Sequence, residues 1–209
     1  MMPNQNSPQT TRGENSCLGI TALSVLRGQR LVIDSLNHSQ SAGELCLLTG
    51  ANGVGKSTLL RAIVGRLPVD SGHIQCHLPC VYIGHADGLS GAISGRKNLH
   101  SWASIHNLNV SDTAINRALA GFNASDFADI PIQILSRGQR RRLALSRLLL
   151  APERSLWLLD EPDAGLDSSS QMCLSSALNQ HLIAGGAAIA ATHGTMSVAT
   201  KTIHLALGS

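Results

Sequence analysis

The chain has 209 residues, enough for one α/β domain, or one domain with a small subdomain, that buries a sizeable core. With 43% hydrophobic and 14% charged residues and a formal charge of +3, it has an ordinary globular composition, and the charge gives no argument for a nucleic acid or anionic membrane partner. Aromatics are 2% of the chain, so only Tyr82, Trp102, Phe122, Phe127 and Trp157 could form a stacking platform.

Residues 1–16 are polar and rich in Asn, Gln, Ser and Thr, the composition of a disordered tail, with no basic-then-apolar secretory pattern. Ile20–Val25 and Leu31–Ile33 read as short strands around a turn at Gly28. Leu45–Thr49 is a continuous apolar run, the pattern of a buried strand. Lys56 to about Gly65 is predicted helical, stopped by the Pro68 and Gly72 turn chemistry. Val81–Ile83 is a further short strand. The segment 89–134 is mainly helical, with candidates at Asn98–His106 and Asp112–Leu119, the latter capped by Ser111. Pro131 breaks it, and a helix from Gly138 to Leu150 follows. Leu156–Leu159 is a buried strand, Ser168–Ile183 a helix, Ala187–Ala191 a strand and Thr202–Leu207 a last strand. Alternating strands and helices predict a mainly parallel sheet covered on both faces, with the helical segment of about 89–145 standing off as a subdomain. No segment reaches the ~18 to 20 apolar residues of a membrane span; Leu182–Ala191 is interrupted by Gly185 and Gly186.

Gly50-Ala51-Asn52-Gly53-Val54-Gly55-Lys56-Ser57 fits G-x-x-x-x-G-K-[ST] between a predicted strand and a predicted helix. Its glycines let the backbone turn tightly and aim N–H groups at phosphate oxygens, and the following helix adds its positive end. Lys56 is expected to reach the β and γ phosphates, Ser57 to hold Mg²⁺, and Thr58 to add a hydroxyl near the α phosphate. Leu156–Leu159 ends in Asp160-Glu161. Asp160 is placed to hold Mg²⁺ through water, and Glu161 to act as base on, or orient, a water in line with the γ phosphate. Leu135-Ser136-Arg137-Gly138-Gln139 opens the next helix, another supply of N–H groups for phosphate, suited to a nucleotide held by a second copy of the chain.

Together these stretches resemble an ABC-transporter ATPase from about Cys17 onward, which implies a P-loop NTPase core with N-terminal antiparallel strands and a small helical subdomain. The resemblance makes Gly50–Ser57 the Walker A loop, Leu135–Gln139 the signature, Leu156–Asp160 Walker B, Ala164–Asp167 the D-loop, and His193 a switch residue at the γ phosphate. It implies Glu161 and His193 as catalytic residues. ATP contacts are implied at residues 50–58, Ser136, Gly138, Gln139, Asp167 and His85, and Mg²⁺ at Ser57 and Asp160. Three departures stand out: Arg137 replaces a usual glycine, His85 occupies the place of the Q-loop glutamine, and no aromatic precedes the second strand, leaving Arg27 or Arg30 to stack on adenine.

Tyr82–Gly88, Leu135–Leu143 and Trp157–Pro162 resemble the heme exporter ATP-binding subunits of bacterial cytochrome c maturation, the CcmA-like family. That resemblance implies a peripheral subunit on the cytoplasmic face of the inner membrane. It implies pairing with a separate transmembrane permease and with a second copy of itself, and service to a periplasmic heme chaperone; nucleic acid is not an expected partner. Export of another small molecule or lipid, or a soluble ABC role, are the alternatives. The cluster Arg140, Arg141, Arg142 and Arg147 reads as a solvated helix face. Five cysteines at irregular spacing fit a reducing compartment. Cys76 and Cys80, near His73, His77 and His85, match no zinc spacing and read as part of a hairpin rather than a metal or heme site.

Overall fold

The computed structural model describes residues 16–192, 196 and 201–204. Eight strands and five α-helices alternate along it: β1 (Ser16–Arg27), β2 (Arg30–Ser41), β3 (Leu45–Thr49), α1 (Lys56–Ile63), β4 (Ser71–Cys76), β5 (Cys80–Ile83), α2 (Gly95–Ile105), α3 (Asp112–Gly121), α4 (Arg137–Ser146), β6 (Leu156–Asp160), α5 (Ser168–Ile183), β7 (Ala187–Ala191) and β8 (Lys201–His204). β5, β6, β7, β3 and β8 form a parallel sheet in that order, and β2, β1 and β4 a separate antiparallel sheet.

The central strands β6 and β7 are buried at every position, as a parallel strand covered on both faces must be. Their period-two alternation divides the core. Leu156 and Leu158 face a cluster shared with Leu59, Leu60 and the apolar side of β1. Trp157 and Leu159 face the opposite cluster with Leu174, Leu178 and Leu182 of α5. Elements between 95 and 150 gather around a third cluster centred on Leu99, Ile115, Leu119, Phe127, Ile132 and Leu143.

Several boundaries differ from expectation, each for a tertiary reason. The two N-terminal strands are much longer, because mutual antiparallel pairing extends them well past their apolar centres. Ser16, assigned to the tail, opens β1; residues 1–15 lie outside the described residues. The stretch around Cys76 and Cys80 is not a hairpin: β4 joins the antiparallel sheet and β5 the parallel one. The Sγ atoms of Cys76 and Cys80 are 3.6 Å apart, and no group of three or more metal-ligating side chains occurs among the described residues. α4 gives way at Arg147 to a 3₁₀ turn through Leu150. The last strand begins at Lys201, and its expected end beyond His204 lies outside the described residues.

His181 of α5 stacks on Trp157 at 3.8 Å between ring centroids, and its Nε2 lies 3.0 Å from the Ser155 carbonyl. Gly186 allows this approach, since a side chain there would collide with the ring. Burial holds the imidazole below its ordinary pKa. An unfolded chain takes up this proton near pH 6.5 while the folded chain resists it, so the contribution to stability is complete above about pH 6.5 and is lost as pH falls. Urea unfolding midpoints should therefore fall between about pH 7.5 and pH 5.5, with a shallower fall in His181→Gln. Equal slopes in the two proteins would remove His181 as a source.

Candidate nucleotide site

The loop between β3 and α1 is built by backbone geometry. Val54 N–H donates to the Ala51 carbonyl at 3.3 Å, closing a tight turn. Gly55 caps α1 at φ 118°, a conformation L side chains rarely adopt, and a Cβ there would lie 2.5 Å from the Val32 side chain. The other four helices have Ser94, Ser111, Ser136 and Asp167 accepting a hydrogen bond from their first turns. α1 has no side-chain cap, so its first-turn N–H groups, those of Ser57 and Thr58 among them, are left for an anion. Lys56 is buried at 8% exposure, its Nζ donating to the carbonyls of Gly50 at 2.7 Å and Ala51 at 3.1 Å. Ala51, Asn52 and Gly53 are exposed, Val54 and Gly55 buried, and Ser57 and Thr58 half-buried.

Asp160 ends β6 and is buried, with the Tyr82 hydroxyl donating to its Oδ2 at 3.4 Å. Glu161 is the first residue beyond the strand. Its φ is +49°, uncommon for a side chain of this size, and its N–H donates to the Ala191 carbonyl at 2.8 Å. Its Oε2 lies 3.0 Å from Nδ1 of His85, so the loop after β5 brings His85 to the carboxylate. His85, Asp87, Arg137, Arg141, Glu161 and Ala164 line a cavity of 20 Å³, room for about one water.

Ser136 and Gln139 form a reciprocal capping box at the start of α4: Gln139 N–H donates to Ser136 Oγ at 3.2 Å and Ser136 N–H to Gln139 Oε1 at 2.9 Å. Gly138 packs tightly, since a Cβ on it would lie 2.9 Å from the Gly165 carbonyl. Arg137 runs alongside Gly165, within 3.8 Å of where a Cβ would sit. Asp167 caps α5 through the Ser170 N–H at 2.8 Å, and hydrogen bonds from Ser170 and Ser169 hold its carboxyl below the usual range. Thr192, after β7, donates to both carboxylate oxygens of Asp163 at 2.9 and 3.0 Å; His193 lies outside the described residues. Ser136→Ala removes the cap and should cost about 1 kcal/mol of stability, read as a lower denaturant midpoint with unchanged slope. An unchanged midpoint would mean that the box contributes nothing net.

Half of the arginine cluster is not on a solvated face, although Arg140 and Arg142 keep partial exposure. Arg141 and Arg147 are buried, at 3% and 6% exposure, and point from α4 and its continuation to the loop after β5. Sequence reasoning missed both: at ~100° per residue a spacing of six sets them about 120° apart, and Arg147 lies in the 3₁₀ turn, so no shared buried face is marked in the sequence. Arg27 and Arg30 form a register pair at the exposed β1–β2 turn.

Residues 33–164 match the ABC transporter family. The chain is 41% identical over 177 residues to the cytochrome c biogenesis ATP-binding export protein CcmA of Rhodobacter capsulatus, covering 84% of this chain and 80% of that protein. It is 40% identical over 177 residues to the CcmA of Paracoccus denitrificans, at 84% and 82% coverage. Among solved structures, a Pyrococcus furiosus chain described as an ABC transporter ATP-binding protein superposes with a TM-score of 0.79 at 24% identity, over 90% of this chain and 96% of that one. A chain of a metal-chelate type ABC transporter in an inward-facing conformation gives 0.76 at 25% identity, over 91% and 79%. A phosphate loop feeding an uncapped helix, with a buried strand that ends at Asp160 and is followed by Glu161, agrees with these likenesses: the chain belongs to the ABC transporter ATPases, in the branch of the cytochrome c biogenesis ATP-binding export proteins.

Proposed function

We propose that this chain binds and hydrolyses ATP as the peripheral subunit of a membrane transporter in cytochrome c biogenesis, coupling the cycle to heme export and delivery to a periplasmic heme chaperone. The ATPase half rests on the site: α1 offers uncapped N–H groups to phosphate, Lys56 lies in the phosphate loop, and Glu161 stands at the tip of β6. The heme half rests on relatives, 37–41% identical, that carry the cytochrome c biogenesis name. No described helix is long and apolar enough to cross a membrane. The likeness to transporter ATP-binding subunits supports a separate permease subunit as the transport path, with this chain on the cytoplasmic face of the inner membrane.

Mg²⁺ suits the donors present. The Ser57 hydroxyl and the Asp160 carboxylate are hard oxygens, and this ion favours one or two carboxylates with phosphates and waters over an all-protein cage. When bound, it would neutralise phosphate charge. Lys56 and the N–H groups of α1 orient the phosphates, Glu161 accepts a proton from the attacking water, and His193 contacts the γ phosphate. Ser136, Gly138 and Gln139, with Asp167 of the D-loop, would complete the site of a second copy, so that ATP closes two chains and hydrolysis reopens them.

A deletion strain separates the two halves of this reading. Covalent c-type cytochrome should disappear and return with the parent gene. Normal cytochrome levels, with ATPase activity intact in the purified protein, would remove the heme assignment alone.

A further inference from the structure

We infer that Arg141 is a positioning residue for hydrolysis, tying the loop that carries His85 to the turn that carries Glu161. Its guanidinium spans the two. Nη1 donates to the Gly84 carbonyl at 2.8 Å and to Asp87 Oδ1 at 3.2 Å, on the His85 side. Nη2 donates to the carbonyls of Asp160 at 2.9 Å and Glu161 at 2.7 Å, and Nε to that of Pro162 at 3.4 Å, on the Glu161 side. One planar cation thus meets carbonyls of three successive residues around the positive-φ position of Glu161 and holds that conformation in place. Between the two tethered stretches lies the 3.0 Å contact of His85 Nδ1 with Glu161 Oε2. With both backbones fixed by one side chain, His85 sets the direction of the Glu161 carboxylate.

The position of Arg141 in α4 adds a consequence. The same helix carries Ser136 as its cap and Gly138 in its first turn, the residues proposed to close on the nucleotide of a second copy, and Arg141 lies within about a turn and a half of both. A displacement of α4 that accompanies closure therefore reaches the chain's own Glu161 through a buried, hydrogen-bonded side chain. Arg147 is the internal control. It is also buried and holds the same loop at the carbonyls of Asp87 (2.9 Å) and Gly88 (2.7 Å), and those bonds leave the Asp160–Pro162 turn untouched.

The test uses the full chain purified with its membrane subunits and rests on Glu161 acting as the base, so parent and Glu161→Gln are run alongside. Arg141→Lys keeps the charge but cannot span five acceptors; Arg141→Gln keeps two donors without charge. In each, kcat should fall at least tenfold while the affinity for a fluorescent ATP analogue stays within threefold of the parent. Arg147→Lys should change kcat by less than threefold. A His85→Ala, Arg141→Lys double variant should lose little beyond the larger single effect, because both act through the Glu161 carboxylate. Parent-like kcat in a folded Arg141 variant overturns the inference. So does a fall in kcat shared equally by Arg141→Lys and Arg147→Lys in step with their thermal unfolding, which would make the role one of stability alone. Parent-like turnover by Glu161→Gln would instead refute the role of Glu161.

Discussion

Glu161→Gln should bind ATP much as the parent does and hydrolyse it on the order of a hundredfold or more slowly, the usual scale for loss of a general base. The substitution is close to isosteric. The backbone at this position is held by Ala191 on one side and by Arg141 on the other, and a glutamine amide can still hydrogen-bond His85. What disappears is the capacity to take a proton from water. Because binding is retained and turnover is not, the ATP-loaded form should accumulate, and under the proposed two-copy site it should accumulate as a dimer. Single-turnover phosphate release measures the first effect and light scattering with ATP the second. Parent-like hydrolysis would refute the assignment of Glu161.

Lys56→Ala should lose ATP affinity by a factor of about ten to a hundred or more. A hydrogen bond to a charged group is worth about 1.5 to 3 kcal/mol, and each 1.4 kcal/mol is tenfold in affinity. The ammonium lies within the phosphate loop, tethered to the carbonyls of Gly50 and Ala51, ready to exchange those weaker partners for phosphate oxygens. Both carbonyls belong to residues with some solvent access, so water can replace the lysine and the fold should be little affected. Titration with a fluorescent ATP analogue, paired with a thermal unfolding scan, separates the two effects. Unchanged affinity in a folded variant would count against the loop as the phosphate cradle.

Much of this protein was legible from local sequence, because local forces decide it. The phosphate loop needs glycines and a Lys-Ser pair within eight residues. The apolar run Leu156–Leu159, tipped by Asp160-Glu161, has only one comfortable place, a buried parallel strand opening toward a ligand. Ser111 caps α3 as its position implied, and α5 runs over the predicted span, since caps and glycine stops act within a few residues.

Other features depended on partners distant in the chain. The N-terminal strands outgrew their apolar centres because pairing with each other, and of β1 with β4, gives polar residues a ladder. Cys76 and Cys80 separated into two sheets because pairing with β1 and with β6 decided it, which no feature of the intervening loop foretells. The arginines show the limit most clearly. A run of cations reads as solvated on the general rule that charge avoids burial. Only packing of α4 against the sheet brings the carbonyls of residues 84, 160, 161 and 162 around one guanidinium, and hydrogen bonds from all sides make its burial tolerable. The phosphate-loop pattern and the Asp160-Glu161 pair could be read from the chain alone, because glycine, lysine and apolar patterning act within a few residues. The tertiary structure alone decided that His85 meets Glu161 and that Arg141 holds them together, because those contacts join residues up to 76 positions apart.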